Sequence, residues 1–250
     1  MRIKTVSKAL ILIGLSVVLL SGCAKMPVSS AASSGKAGSM ARFTVVDDHL
    51  YAVSEGSLHV FDLKVRNHPA LVGSLDIGWG IETIFSYKDL LFFGTRTGML
   101  IYNIAAPEEP LFVSEYRHIN SCDPVVVEDG YAYVTLRTQT QCRRGANELQ
   151  IYDVKDPGSP ILIKTYEMKN PWGLGIDQKK LFICDGKYGL KVYDAKNPEQ
   201  IKLLETVSDI NGYDVIPFER ILIVSARDGI YQFDYSSNRL VKLSRIPVGY

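Results

Sequence analysis

One short segment occurs five times along this chain, and the repeat limits the fold more than any other feature. The copies are residues 58–62 (LHVFD), 100–103 (LIYN), 149–153 (LQIYD), 190–194 (LKVYD) and 230–234 (IYQFD). Counted from the terminal Asp or Asn, successive copies lie 41, 50, 41 and 40 residues apart. A period near 41 built only from strand signals is typical of the blades of a β-propeller, each of about four strands.

The strand pattern of each unit supports this interpretation. In the fourth unit, apolar runs at 172–176, 180–184, 190–193 and 201–207 are separated by turn residues. Repeated over residues 42–250, the pattern predicts twenty strands in an all-β, five-bladed β-propeller of four-stranded antiparallel blades. The longer third unit carries an insertion of nine residues around positions 138–147.

The residue that ends each repeated strand has a structural explanation. A carboxylate or amide at this position accepts hydrogen bonds from the backbone of the following turn, and a proline follows in four of the five units. A ring of carboxylates that binds cations is the functional alternative. These residues are Asp62, Asn103, Asp153, Asp194 and Asp234.

Ring closure is the weak point of this prediction. The chain starts on an inner strand at 43–46 and ends on an outer strand at 240–248, so no strand from one end completes a blade at the other. Closure would depend on the packing of blade five against blade one, and an open or oligomer-closed ring is the alternative.

The N-terminal residues predict an exported lipoprotein. Arg2, Lys4 and Lys8 precede an apolar run at 9–20 that is too short for a confident membrane span. Residues 20–23 (LSGC) resemble the bacterial lipobox, which implies a signal peptide over 1–22 and acylation of Cys23. Residues 24–25 (AK) favour the outer membrane, so we expect a lipid-anchored protein of the bacterial cell envelope, periplasmic or surface-exposed.

Residues 23–41 are interpreted as the acylated cysteine and a flexible tether, because they are mostly Ser, Ala, Gly and Lys. Without the three basic leader residues, 25 of the 28 Lys and Arg remain against 27 Asp and Glu. A mature chain that is close to neutral argues against a nucleic-acid partner, which requires clustered positive charge.

The third and fourth units resemble a known family. The segments 121–126 (SCDPVV), 131–137 (YAYVTLR), 147–153 (NELQIYD) and 170–177 (NPWGLGID) are similar to those of the LVIVD-repeat lipoproteins of Bacteroidetes-type bacteria. The resemblance covers about residues 42–240 and the lipobox. It implies a propeller fold and an envelope location, and it implies no activity or catalytic residue.

Propeller topology places the unusual residues on one face, which we call the loop-rich face. It carries the loops between second and third strands and the loops between blades, whereas the opposite face has mostly short Asp, Lys and Pro turns. Candidate binding residues there could accept an anionic or sugar-like ligand, with Arg binding carboxylate and aromatic rings stacking. Alternatively, the arginines pair with Asp185, Asp214 or Asp228 and hold blades together. The candidates are Arg96, Asp123, Arg137, Trp172, Tyr213 and Arg227.

The cysteines suggest one disulfide bond. Cys122 and Cys142 fall in neighbouring loops of blade three, and an exported compartment permits a bond between them that would fix the insertion. A metal pair is the rival interpretation. Cys184, at a strand end, is interpreted as a small buried residue, with a nucleophile as the alternative.

No metal site, cofactor or catalytic set is predicted. The four histidines, His49, His59, His68 and His118, fall in different blades or on remote faces, and no phosphate loop or nucleophile elbow occurs.

We therefore expect a non-catalytic binding module for an envelope protein or glycan, attached to the membrane through Cys23. The alternative is a glycan hydrolase or lyase with its site at the central mouth. A third and weaker hypothesis is a periplasmic partner of outer-membrane assembly machinery, which is based only on analogy with other lipoprotein propellers.

Overall fold

A computed structural model describes residues 38–117, 124–138 and 146–249. These residues belong to one compact unit, Ala32–Tyr250. They form five four-stranded antiparallel sheets, each made of strands that are consecutive in the chain. The prediction of a five-bladed β-propeller is confirmed.

The blades are numbered in chain order, and the first strand of each lies innermost. Within the described residues the only helical element is a 3₁₀ turn at Pro198–Gln200, and no helix has the length and apolar character needed to cross a membrane. Blade 1 consists of β1 (Phe43–Val46), β2 (His49–Ser54), β3 (Ser57–Asp62) and β4 (Ala70–Asp76), and blade 2 of β5 (Ile81–Tyr87), β6 (Leu90–Thr95), β7 (Gly98–Asn103) and β8 (Leu111–Arg117). Blade 3 consists of β9 (Val125–Glu128), β10 (Tyr131–Leu136), β11 (Glu148–Asp153) and β12 (Ile161–Glu167), and blade 4 of β13 (Leu174–Asp177), β14 (Lys180–Cys184), β15 (Leu190–Asp194) and β16 (Lys202–Val207). Blade 5 consists of β17 (Gly212–Phe218), β18 (Ile221–Ala226), β19 (Gly229–Asp234) and β20 (Val241–Pro247).

The repeated terminal residue closes a turn in every blade. Its side-chain oxygen accepts a hydrogen bond from the backbone N–H two residues later, at 2.6–3.0 Å. This is the Asx-turn geometry that the sequence predicted. The acceptors are Asp62, Asn103, Asp153, Asp194 and Asp234.

Buried side chains lie between consecutive blades. Among the described residues they form four clusters, which join blades 1 and 2, 2 and 3, 3 and 4, and 4 and 5. Face-to-face packing of this kind requires apolar residues in both registers of a middle strand. The second strands of blades 2, 3 and 4 have them, because β6, β10 and β14 are buried at every residue after the first.

Blades 5 and 1 differ from the others. No cluster within residues 38–117, 124–138 and 146–249 joins them. In β19 burial alternates strictly, with Tyr231 and Phe233 buried and Ile230 and Gln232 exposed. In β2, Tyr51 and Val53 are buried whereas Leu50 and Ala52 are only half-buried. Within the described residues each terminal blade is therefore covered by another blade on one face, and the packing of blade five against blade one, on which ring closure would depend, is not formed there.

Candidate functional site

The central mouth on the loop-rich face is filled by the chain itself. Residues 38–41 precede β1 and cross the starts of inner strands from three other blades. The Ala41 carbonyl accepts a hydrogen bond from the Ile84 N–H at 3.0 Å, which links the segment to β5 of blade 2. Ser39 lies against β13 and β17 and is only 1% exposed.

Ser39 connects two inner strands through one hydroxyl group. Its Oγ donates to Asp214 Oδ1 at 3.0 Å and accepts from the Leu174 N–H at 2.8 Å. The Met40 N–H also points to Asp214 Oδ2, at 3.4 Å. The segment 38–41 therefore joins blades 2, 4 and 5 at the axis.

Asp214 is the acidic group at this position. Its Oδ1 also accepts from the Val215 N–H at 2.9 Å. Burial raises the pKa of Asp214, and hydrogen bonds from Val215 and Ser39 oppose this effect. A Cβ atom added at Gly38 or Gly173 would lie 2.0 or 2.1 Å from the carboxylate oxygens, so glycine is required on both sides. The carboxylate is thus enclosed by the chain and does not face an open pocket.

Three of the candidate residues form one contact group, in which the Trp172 and Tyr213 ring planes are tilted by 59° to each other. The Arg137 guanidinium lies over the Trp172 ring, with Cζ 3.4 Å from the ring centroid. The Trp172 and Tyr213 ring centroids are 5.0 Å apart. Thr135 Oγ1 donates to the Trp172 carbonyl at 2.6 Å and fixes the loop that holds the indole. This cation–π and aromatic group spans blades 3, 4 and 5 beside the axis.

Glu82 extends this group towards blade 2. Arg96 Nε donates to Glu82 Oε1 at 3.2 Å. Burial lowers the pKa of Arg137, and the negative charge of Glu82 opposes this shift. The structure therefore brings four of the six candidates, Arg96, Arg137, Trp172 and Tyr213, into one arrangement around the mouth.

The described residues of the mouth enclose only a small cavity. A cavity of about 100 Å³ is lined by Met40, Glu82, Thr83, Pro124, Arg137, Pro171 and Trp172. Sites for small organic ligands usually have volumes of about 300 to 1,000 Å³. A sugar ring therefore has no preformed site among the described residues of the mouth.

A larger cavity, of about 360 Å³, lies at the outer side of blades 4 and 5. None of the predicted candidate residues lines it. Its acidic residue Glu205 accepts a hydrogen bond from the Leu240 N–H at 2.8 Å. The lining residues are Glu205, Thr206, Val207, Ser208, Asp209, Ile210, Tyr231, Phe233, Leu240 and Lys242.

Of the two remaining candidates, Arg227 lies in the described part of the chain. Arg227 is exposed on the loop after β18, and its backbone N–H bonds to the Asn211 carbonyl. Sequence reasoning also missed Trp79, which is 85% exposed in the loop between blades 1 and 2. Gly78 and Gly80 flank this indole and have φ values of 89° and 83°, a conformation that glycine adopts without strain. Exposed aromatic and basic side chains therefore surround a closed mouth.

The alternative pairing of arginines with three aspartates differs from the observed contacts. Asp185 is buried and pairs with Lys191, while its Oδ1 accepts from the Asn170 N–H at 2.6 Å. Asp228 pairs with Arg245 at 2.6 Å, and Asp214 binds the segment 38–41.

Four predicted residues lie outside the described part of the chain. Asp123, the Cys122–Cys142 bond and the lipidation site Cys23 therefore stay predictions. Cys184 is described and fully buried. Burial raises the pKa of its thiol, which fits the interpretation as a small core residue rather than a nucleophile.

One group of potential metal ligands lies on the opposite face. Ligand atoms of His49, Asp62 and Glu108 lie within 4.8 Å of one another. The two oxygens of Asp62 are already bonded to Lys64, to its N–H at 2.7 Å and its Nζ at 3.1 Å. We assign no metal there, since the Lys64 ammonium group already neutralises the Asp62 carboxylate that would bind a cation.

Comparisons with known proteins show the fold and no family. No family model and no curated protein matches the chain. A functionally unknown protein from Desulfotomaculum acetoxidans DSM 771 is similar in structure, with a TM-score of 0.65 and 14% identity, covering 81% of this chain and 67% of that one. The periplasmic gluconolactonase PpgL of Pseudomonas aeruginosa is similar with a TM-score of 0.62 and 16% identity, and the match covers 81% of this chain and 68% of that one. The computationally designed Ika8 protein is similar with a TM-score of 0.58 and 11% identity, and the match covers 80% of this chain and 59% of that one.

We predict that Ser39→Ala lowers the free energy of unfolding by about 1–3 kcal/mol at pH 7, because the buried carboxylate and the Leu174 N–H both lose a partner. The Ser39 hydroxyl stabilises the charged form of Asp214, so its contribution is lost as the pH falls through the folded-state pKa of that group. The difference from wild type should therefore shrink in acid. Urea denaturation at several pH values measures this difference, with Ser54→Ala at the exposed end of β2 as the control. Equal stability of Ser39→Ala and wild type at pH 7 would contradict the described role.

Proposed function

We propose that this protein is an envelope-anchored lipoprotein of the LVIVD-repeat type whose propeller acts as a non-catalytic interaction module. The partner is an envelope protein or glycan that binds the loop-rich face. The closed mouth is the observation that carries the proposal, because segment 38–41 covers Asp214 and leaves a cavity of about 100 Å³.

An enzyme at the mouth would need an accessible acid or base and room for substrate. Asp214 has the raised pKa that such a role requires, yet its oxygens are bonded to Ser39, Met40 and Val215. The likeness to a gluconolactonase, at 16% identity, concerns the fold and transfers no activity. The geometry therefore favours binding over hydrolysis or lyase chemistry.

The loop-rich face suits a macromolecular partner. Trp79 is almost fully exposed, Tyr188 is 43% exposed, and Arg96 and Arg227 are exposed on the same face. Trp, Tyr and Arg are the residue types that contribute most to binding at protein interfaces. The stacked Arg137 and Trp172 hold the surrounding loops in place.

The proposed anchor would keep this face near the bilayer. The described chain begins at Gly38 in the mouth, fifteen residues after Cys23. Even fully extended, fifteen residues span only about 50 Å. The mouth of the loop-rich face would therefore lie within about 50 Å of the anchored membrane surface.

Lipidation is tested with the substitution Cys23→Ser. In a bacterial host that acylates lipoproteins, the wild-type chain should incorporate labelled palmitate and sediment with membranes, since several buried acyl chains anchor stably. The Cys23→Ser variant should lose both properties, and Ser30→Ala in the same segment should keep them. Equal labelling of the wild type and Cys23→Ser would overturn the lipoprotein part of the proposal.

The interaction surface is tested by pull-down from envelope extract with Trp79→Ala/Arg227→Ala. Truncation of two exposed interface residues should reduce partner recovery about tenfold or more. The matched control is Val65→Ala/Arg66→Ala, which removes an exposed apolar and a basic side chain from the opposite face. An unchanged partner list for the loop-rich variant, or an equal loss for the control, would remove this face from the proposal.

A further inference from the structure

The cavity of about 360 Å³ between blades 4 and 5, here called the 4/5 cavity, lies where other blade interfaces hold a tyrosine ring. On the outer strands of blades 2 and 3 the tyrosines are Tyr116 and Tyr166, which pair with the residue four positions before the terminal Asn or Asp. The residue of blade 4 that pairs in the same way is Val207, which lines the cavity. An isopropyl group therefore stands where two other blades have a phenol ring.

The ring of Tyr116 fills the space between blades 2 and 3. Its centroid lies 4.6 Å from that of Tyr152, the residue directly before the terminal Asp of blade 3. The counterpart of Tyr152 in blade 5 is Phe233, which also lines the 4/5 cavity. The cavity is thus lined by the counterparts of both members of this aromatic pair, Val207 and Phe233, with one of the two rings missing.

A carboxylate occupies the place of the missing hydroxyl group. Between blades 3 and 4, the Tyr166 hydroxyl accepts a hydrogen bond at 3.0 Å from the N–H of Ile201, directly before the outer strand of blade 4. The counterpart of Ile201 in blade 5 is Leu240, and its N–H donates to Glu205 Oε2 at 2.8 Å. Glu205 and Val207 are two residues apart on β16 and point to the same side of the sheet. An anion therefore ends the space that the ring leaves open.

Glu205 also explains why the space stays open. Its counterpart in blade 1 is Gly73, where an added Cβ atom would lie 2.4 Å from the Glu108 carbonyl oxygen of blade 2. Blades 1 and 2 approach closely at this point, and Leu75, at the tyrosine position of blade 1, packs against their shared cluster. The longer Glu205 side chain prevents the same approach of blades 4 and 5. The combination of a long residue at 205 and a short one at 207 leaves the cavity.

The walls of the 4/5 cavity favour a positively charged ligand. Two carboxylates, Glu205 and Asp209, line it together with one ammonium group, that of Lys242. The Lys242 Nζ lies 4.7 Å from the centroid of the Tyr231 ring, and Tyr231 and Phe233 supply apolar surface. The excess of one negative charge attracts cations. The volume of about 360 Å³ is within the range of sites for small organic ligands.

We propose that the 4/5 cavity binds a small aromatic ammonium compound, whose ring takes the place of the missing tyrosine ring and whose ammonium group binds the Glu205 carboxylate. The ring gains apolar burial and an aromatic contact with Phe233. The ammonium group forms a charge-assisted hydrogen bond with a carboxylate that the Leu240 N–H already holds in position. A carboxylate has room for this additional donor, since its two oxygens accept up to four hydrogen bonds.

Calorimetric titration of the mature chain carrying Cys23→Ser tests the proposal, with phenethylamine as the probe. Two comparators separate the contributions: 2-phenylethanol keeps the ring and lacks the charge, whereas propylamine keeps the charge and lacks the ring. Phenethylamine should bind about tenfold or more tightly than either, because each comparator loses one of the two interactions. Absence of saturable phenethylamine binding, or equal affinity for one of the comparators, would overturn the proposal.

Two variants locate the site. Val207→Tyr restores the ring that blades 2 and 3 have and should abolish phenethylamine binding, while thermal unfolding confirms a folded chain. The matched control is Val65→Tyr, the same change at a position that is 59% exposed on the opposite face, which should bind as before.

Glu205→Gln keeps the volume and an acceptor for the Leu240 N–H. It should weaken phenethylamine binding about tenfold and leave 2-phenylethanol binding unchanged. Unchanged phenethylamine affinity in either Val207→Tyr or Glu205→Gln would contradict the assignment. The pull-down with the loop-rich variant is independent of these results, because neither of its two substituted residues lines the 4/5 cavity.

Discussion

Face-to-face packing of neighbouring blades is the interaction on which this fold depends. A single four-stranded sheet cannot bury both of its faces, and each internal blade of this chain buries one face against each neighbour. The consequence is visible in β6, β10 and β14, which are buried in both registers. The same requirement explains why the terminal blades, with one neighbour each, show alternating burial. Stability in such an arrangement is a sum of neighbour contacts, so its weakest point is the place where a neighbour is missing.

The mouth is held by a different kind of contact. A short segment, residues 38–41, joins three blades through backbone groups, the Ser39 hydroxyl and the Asp214 carboxylate. Burial of this carboxylate is tolerated because three donors point at it. The segment fills the mouth, and the side chains of Trp79, Tyr188, Arg96 and Arg227 are exposed around it. The contacts that stabilise the centre are also the ones on which our proposal of a binding module is based.

The repeat made the fold predictable, because a strand that recurs every 41 residues can be recognised from its apolar residues and its terminal Asp. The grouping of Arg96, Arg137, Trp172 and Tyr213 followed from topology in the same way. Ser39 could not be found, since Gly38 and Ser39 read as part of a Gly- and Ser-rich tether. Glu82 and Asp214 are single carboxylates whose partners are distant in sequence. The uncovered faces of blades 1 and 5 were also hidden: Phe61 obeys the repeat, and only the structure shows that no other blade in the described residues packs on it.

Amide hydrogen exchange tests most directly whether neighbour contacts determine the stability of each blade. The measurement is made on the Cys23→Ser chain at a concentration where it sediments as a single copy. Amides of β10, in the doubly covered blade 3, should exchange only through global unfolding. Amides of β2 and β18, in the singly covered blades, should exchange faster, through local opening. Equal protection of β2, β10 and β18 under these conditions would contradict the account.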